Sequence, residues 1–399
     1  MPHHESRALW GWSLFFCVGF LFLGMLESFR STFMPAISEA FSLGESELSG
    51  LIVISAAASI LLQLSAGIWS ERVDPPRLFL IAFTILTVML AISVSIDRYL
   101  KIVIFYFVIQ IGITLYLLVS NTLIPTLGAR SNRLLTFSHG FYGLGATLSP
   151  IFAEWLLDYT KSWQMSYKVL AYPSLTLCLF VIYLSSPKRT IIPTDAISLD
   201  ATRPSLRQLT AQPLVWWFAL LFGAGITAEV ATASWLVYYL CSTAQLSQAG
   251  AALYLSGFYA LFTVARFAGG LILTVGRERR ILHRSLISTA VVLMAVVASP
   301  QLSAPLLMLS GLTVALIFPM MLLIFNQSFL SHHAYILGVV ISGALLVFMG
   351  INALVGVWSE LFSIRSSYLL MVGCALIALG CSAMIRRIST PADAALHKL

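Results

Sequence analysis

Apolar runs of about twenty residues, parted by short polar breaks, recur along the whole chain. They lie near 9–35, 49–70, 78–96, 102–127, 135–158 and 167–185. After a polar stretch from Ser186 to Pro213 they resume near 214–241, 247–273, 285–299, 305–330, 335–359 and 367–385. A helix rises ~1.5 Å per residue, so a run of about 20 apolar residues crosses the ~30 Å hydrocarbon layer of a bilayer. The pattern predicts an all-α integral membrane protein with 12 transmembrane helices. Residues 1–185 form an N-terminal six-helix bundle, 186–213 a cytoplasmic linker and 214–399 a C-terminal six-helix bundle. The first run follows Arg7 as a secretory leader's apolar segment would, but it is too long and no small-residue cleavage site follows, so it is predicted as a mature helix. Pro187, Pro193, Pro204 and Pro213, set among Ser, Thr, Asp and Arg, give the linker the composition of a flexible tether.

Composition closes off the soluble alternative. Of 399 residues, 59% are hydrophobic and 10% charged, against roughly 25% charged in ordinary soluble domains. The net charge of +7 raises the question of nucleic acid, but no basic stripe with interleaved aromatics occurs. Membrane insertion alone accounts for the excess, because cytoplasmic loops collect Lys and Arg. Of the 23 basic residues, sixteen fall in the connections on one side, five on the other, and Arg30 and Arg266 lie inside runs. That asymmetry predicts both termini and the linker in the cytoplasm.

Metal and enzymatic chemistry find no foothold in the motifs. Cys17, Cys178, Cys241, Cys374 and Cys381 are scattered through apolar runs without CxxC spacing, as small hydrophobes would be. His3 and His4, and His332 and His333, are adjacent pairs with no third ligand nearby in sequence. The sequence holds no HExxH, GxSxG or GxxxxGK[ST], so neither hydrolytic chemistry nor ATP as an energy source is expected. No cofactor and no metal are expected.

The two halves look like duplicates. Gln63 to Gly67 matches Arg266 to Gly270 at an offset of 203, Glu27 and Glu229 differ by 202, and Asn121 and Asn326 by 205. Three matches at nearly one offset point to pseudo-symmetric six-helix bundles.

With those residues in view, the sequence resembles the major facilitator superfamily. The six-linker-six layout is the broad likeness. The sharper one is Gly67-Ile-Trp-Ser-Glu71-Arg72, with Arg77 beyond it, which is similar to the superfamily's loop motif after the second helix, although Pro75 and Pro76 stand where basic residues are usual. The resemblance implies a gating role for Gly67, Glu71, Arg72 and Arg77. Leu134 to Pro150, Gly223 to Leu240 and Ala265 to Gly270 are similar to the fucose permease type of sugar:proton symporter. Ser31 four residues before Pro35, and Leu117 four before Asn121, replace carboxylates of that type, which argues against a sugar. The resemblance implies a monomeric secondary transporter of a bacterial inner membrane. It would use a proton as coupling ion and move a small-molecule substrate by alternating access within the lipid bilayer. A sugar:proton symporter and a proton-antiport exporter of a metabolite or drug stand as the transport alternatives, and a transporter-like sensor that binds without moving its ligand as the non-transport one.

Ionisable groups inside a span are costly, so each is a candidate. Glu27 and Arg30 are three apart on one helix and share a face. They form either a packing pair or a substrate and proton switch. Arg30 leans the substrate towards an anion such as an organic acid, another carboxylate-bearing metabolite or a siderophore. Glu229 has no basic neighbour at helical spacing and is the leading proton-binding candidate. Asn121, on a stripe with Gln110, Thr114 and Pro125, and Asn326, beside Gln327, either bind substrate or join helices. His139 either lines the cavity or hydrogen-bonds at the cytoplasmic end. Arg266 is expected to snorkel from a helix end and to act in gating. Trp235, Tyr238 and Tyr239 are expected in an aromatic interface belt.

Overall fold

The computed structural model of the protein describes residues 2–69, 73–124, 127, 131–186, 206–272, 276–329 and 333–396, and over these it is helical throughout, with no strand among the described residues. The twelve crossing segments are α1 (Pro2–Phe41), α2 (Glu45–Trp69), α3 (Pro75–Ala91), α4 (Tyr99–Leu123), α5 (Ser131–Thr160), α6 (Trp163–Leu184), α7 (Pro213–Thr243), α8 (Gln248–Ile272), α9 (Glu278–Ala298), α10 (Pro300–Ser328), α11 (His333–Leu361) and α12 (Ile364–Leu396). Ten contain a stretch long and apolar enough to span a bilayer, α3 is a shorter apolar helix, and α5 is long but more polar. The linker expected over 186–213 lies outside the described residues from 187 to 205, and a short helix, Leu206–Thr210, precedes α7.

Local chemistry sets the element ends. Pro75 and Pro76 open α3 at its first helical positions, where a missing N–H costs nothing. The Ser162 hydroxyl caps α6 by accepting from the Met165 N–H at 3.2 Å. Ser42, Lys161 and Gln245, just past α1, α5 and α7, take left-handed φ values of 53°, 54° and 55°, as helix-terminating residues do. Two spans are interrupted. Residues Thr227–Ala231 of α7 form a π-helical turn, and α10 breaks between Val314 and Ile317. The ninth apolar run proves to be only the end of α9, which begins a further two turns back, in its basic segment.

The chain divides into two compact units, Met1–Ser42 with Ala57–Asp200, and Leu43–Ala56 with Ala201–Leu399. The division therefore differs from a cut at the linker by the first half of α2. In the first unit α1 runs along α5, and α3 packs on α4 and α6. Two glycines set the α1–α5 approach: a Cβ on Gly24 would strike the Tyr142 carbonyl, and one on Gly145 would strike that of Leu21. Such backbone-on-backbone contact is how helices associate where lipid removes the hydrophobic drive. Trp12, Phe15, Phe16, Phe79, Phe83 and Tyr116 fill this core, and the Tyr116 hydroxyl donates to the Phe16 carbonyl at 2.9 Å.

In the second unit α7 packs on α11 and α12, α9 lies against α10 and α12, and α8 lies against α10. There Gly311 closes on the Phe258 carbonyl. The start of α2 joins this unit through the Ser46 N–H, which donates to Glu360 at 3.0 Å, and through the Tyr238 hydroxyl, which donates to Glu45 at 3.1 Å. Trp235 and Tyr239 are fully buried in the unit, which corrects the interface belt expected for them. They face neighbouring helices because α7 is packed on α11 and α12. Leu61, Trp155, Leu179 and Val291 remain exposed.

Candidate functional site

Charged side chains inside the spans define one cluster in each unit. In the first unit the Gly24–Gly145 crossing brings α1 against α5 so closely that Glu27, one turn past Gly24, meets Tyr142, whose hydroxyl donates to its carboxylate. Arg30 does not take that carboxylate. Among the described residues no ion pair includes Arg30, and its Nε is buried without a hydrogen-bond partner. In place of an ion pair between the two, a phenol holds the carboxylate, and the guanidinium has no carboxylate on it. Sharing a helix face brought the two near; the crossing helix supplied the better-placed donor. Tyr167 packs its ring 5.6 Å from those of Phe29 and Phe33, which flank Arg30 on α1, and its hydroxyl lies 3.0 Å from that of Tyr106, linking α4 to α6. A buried polar donor left unpaired costs about 1–3 kcal/mol, so this guanidinium is poised for an oxygen-bearing ligand.

In the second unit Glu229 sits in the π-helical turn of α7, a local widening that is frequent at functional positions. The expectation that it lacks a basic neighbour is corrected: Arg266 of α8 donates Nη2 to Glu229 Oε1 at 2.9 Å. Helical spacing within α7 could not reveal a partner carried by α8. Arg266 also donates Nε to the Ala315 carbonyl at 3.1 Å, where the break in α10 frees that acceptor. Its guanidinium carbon stands 4.1 Å from the centre of the Phe262 ring. It is thus committed to α7, α8 and α10, and the snorkelling expected of it is corrected: a carboxylate within reach outcompetes the excursion to water. Glu229 Oε2 is buried with no partner.

Of the other candidates, Asn121 and Asn326 lie near helix ends, and His139 lies one turn before Tyr142 on α5. Asn121 is exposed near the end of α4, about 22 Å along that helix from Tyr106 at ~1.5 Å per residue. On the same stripe Gln110 donates to Thr114 at 3.4 Å, and Thr114 bonds Ser59 of α2 at 2.8 Å, so these groups join helices; Pro125 lies outside the described residues. Asn326 is likewise exposed near the end of α10. His139 packs its ring 4.9 Å from that of Phe20 on α1. Gly67 lies in the last turn of α2, Glu71 and Arg72 fall outside the described residues, and Arg77 pairs with Asp74 at 3.5 Å on the surface. Among the described residues no three metal-ligating side chains cluster. Tyr142, Tyr106 and Tyr167 are site neighbours that sequence reasoning did not assign; the glycines at 24 and 145 were the available signal for the first.

Comparison with known proteins adds the following. Residues 15–334 match the family model described as Major Facilitator Superfamily. No curated protein sequence matches. Among solved structures, a D-xylose-proton symporter superposes with a TM-score of 0.75 at 14% identity, covering 94% of this chain and 97% of that one. A bacterial homologue of the human lysosomal transporter Spinster, solved inward-facing and unoccupied, gives 0.72 at 14%, covering 97% and 98%. The Escherichia coli fucose:proton symporter gives 0.66 at 16%, covering 94% and 98%. At these identities the likeness is one of fold.

Proposed function

This chain belongs to the major facilitator superfamily and is a multi-pass membrane transporter; we propose that it is a proton symporter importing a small anionic solute by alternating access. The carrying observation is Arg30, a guanidinium inside a span with its Nε buried and unpartnered and with no ion pair among the described residues. Such a group in hydrocarbon calls for an anion, and a guanidinium fork fits a carboxylate in two parallel bonds. Organic acids, carboxylate metabolites and carboxylate siderophores share that chemistry. Tyr106 and Tyr167 offer hydroxyls in the same neighbourhood.

For coupling, the support is the half-satisfied carboxylate of Glu229. One oxygen holds Arg266 and the other is vacant, so a proton can settle on the vacant oxygen. Neutralising Glu229 removes the charge that holds Arg266 and frees the α7 turn from α8. Two structural neighbours are proton symporters, which agrees with this coupling ion. The excess of basic residues on one side supports cytoplasmic termini in a bacterial inner membrane. The protein works as a monomer in this reading, each chain carrying both clusters.

A thermal-shift screen of the purified protein against carboxylates, siderophores and sugars identifies the ligand, since a ligand bound only by the native state raises the melting point. Arg30→Ala should abolish the shift given by the best carboxylate, whereas Arg30→Lys should keep part of it. A sugar giving the largest shift, unaltered in Arg30→Ala, would overturn the anionic reading.

A further inference from the structure

Glu27 and Arg30, three residues apart on one face of α1, are placed to pair with each other, and the fold keeps them from doing so. Gly24, one turn before Glu27, lies against the backbone carbonyl of Tyr142. That contact sets α5 at the depth where the Tyr142 hydroxyl donates to the Glu27 carboxylate. Arg30 is left with its Nε buried and unbonded, and with no ion pair among the described residues. Of two neighbouring charges, the phenol takes one and leaves the other open.

A carboxylate fixed on the same helix presents itself to the guanidinium at an effective concentration on the order of millimolar. Were Glu27 released, an anion arriving from dilute solution would meet a fork already occupied, and its apparent affinity would fall in proportion to the fraction of molecules so closed. Glu27 is in that sense a competitor built into α1. We propose that Tyr142 is a positioning residue for anion binding, its phenol holding Glu27 off Arg30 so that the guanidinium stays open to the carboxylate of a solute. This rests on the reading of Arg30 as the anion site and adds what keeps that site open.

The test is a double-variant cycle on the purified protein, with formate, lactate and citrate titrated against sodium chloride of equal ionic strength and the melting shift giving the affinity. Tyr142→Phe should weaken carboxylate binding about three- to tenfold, as coupled charge networks do. In a Glu27→Gln background the same substitution should change it by less than about twofold. A phenol that only braces the α1–α5 crossing would give the same loss in both backgrounds, because the amide still accepts its bond, and that result would overturn the proposal. Glu27→Asp and Glu27→Asn, equal in size, repeat the test with Tyr142 intact. The shorter carboxylate gives up the phenol but keeps the helix face it shares with Arg30, so the loss of affinity from Asn to Asp should exceed that from Gln to Glu at this position. Equal differences, the mark of through-space repulsion alone, would also overturn the proposal. Binding of none of the three carboxylates, or binding unaltered in Arg30→Ala, would overturn the anion site itself and this proposal with it.

Discussion

Replacing Glu229 by Gln removes one charge and leaves the shape intact. At 2.9 Å between Arg266 Nη2 and Glu229 Oε1, the gross attraction is about 6 kcal/mol at an effective dielectric constant of about 20. Against this stands the carboxylate's desolvation, several kcal/mol, which the amide does not incur. The Gln carbonyl also still accepts from the guanidinium, a bond worth about 1.5–3 kcal/mol. Arg266, 30% exposed, keeps the Ala315 carbonyl and the Phe262 ring. The net loss is about 1–3 kcal/mol, enough to lower the melting point by a few degrees without unfolding the protein. The functional effect should be larger than the structural one. In proteoliposomes carrying the ligand found by thermal shift, Glu229→Gln should exchange internal for external ligand but no longer accumulate it when the outside is made acid. Acid-driven accumulation equal to that of the parent protein would refute the coupling role of Glu229.

Other expected outcomes follow the same contacts. Tyr142→Phe removes the phenol that bonds Glu27 and should cost about 1.5–3 kcal/mol, as hydrogen bonds to charged groups do; thermal melting beside Tyr159→Phe checks it. Gly24→Leu or Gly145→Leu places a side chain against a backbone carbonyl and should abolish the folded, monodisperse fraction in size-exclusion chromatography, whereas Gly380→Leu, with open space around it, should not. Arg266→Lys loses the fork that spans Glu229 and Ala315 and should slow transport while leaving binding at Arg30 intact, read as separate effects on rate and on ligand-induced melting shift. On the surface, Lys101 and Arg98 hold the Asp97 carboxyl below the usual carboxylate range. A depressed pKa contributes stability above the unfolded value of about 3.9 and loses it as pH falls further, so Asp97→Asn should flatten a small acid-side slope in melting point and lower the melting point slightly at neutral pH, where that contribution is fully present.

The twelve spans were legible because hydrocarbon leaves a one-dimensional record: wherever the chain crosses, apolar residues run on for about twenty positions. Glu27, Arg30 and Glu229 were legible as candidates for the converse reason, that a charge inside such a run demands an account. Their partners were not, because partnership is a property of helix crossings. Glu229 meets Arg266 from α8, while the duplicated position in the first half is Gln63, so the repeat by itself would have forecast symmetry where the chemistry differs. Glu27 meets Tyr142 because two glycines let backbones touch, a contact that no spacing along α1 encodes. That Asn121 lies exposed near the end of α4, at Leu123, was not legible, because hydropathy alone does not register a helix end. The π-helical turn around Glu229 leaves no compositional mark in an apolar segment.

The most direct measurement is tracer accumulation of a carboxylate ligand into proteoliposomes under an imposed acid-outside gradient, with Arg30→Ala and a protonophore in parallel. Accumulation above the external concentration is expected, collapsing with the protonophore and absent in Arg30→Ala. A ligand that binds the protein yet never accumulates, or accumulation indifferent to both the gradient and Arg30, would contradict a proton-driven carrier of anions.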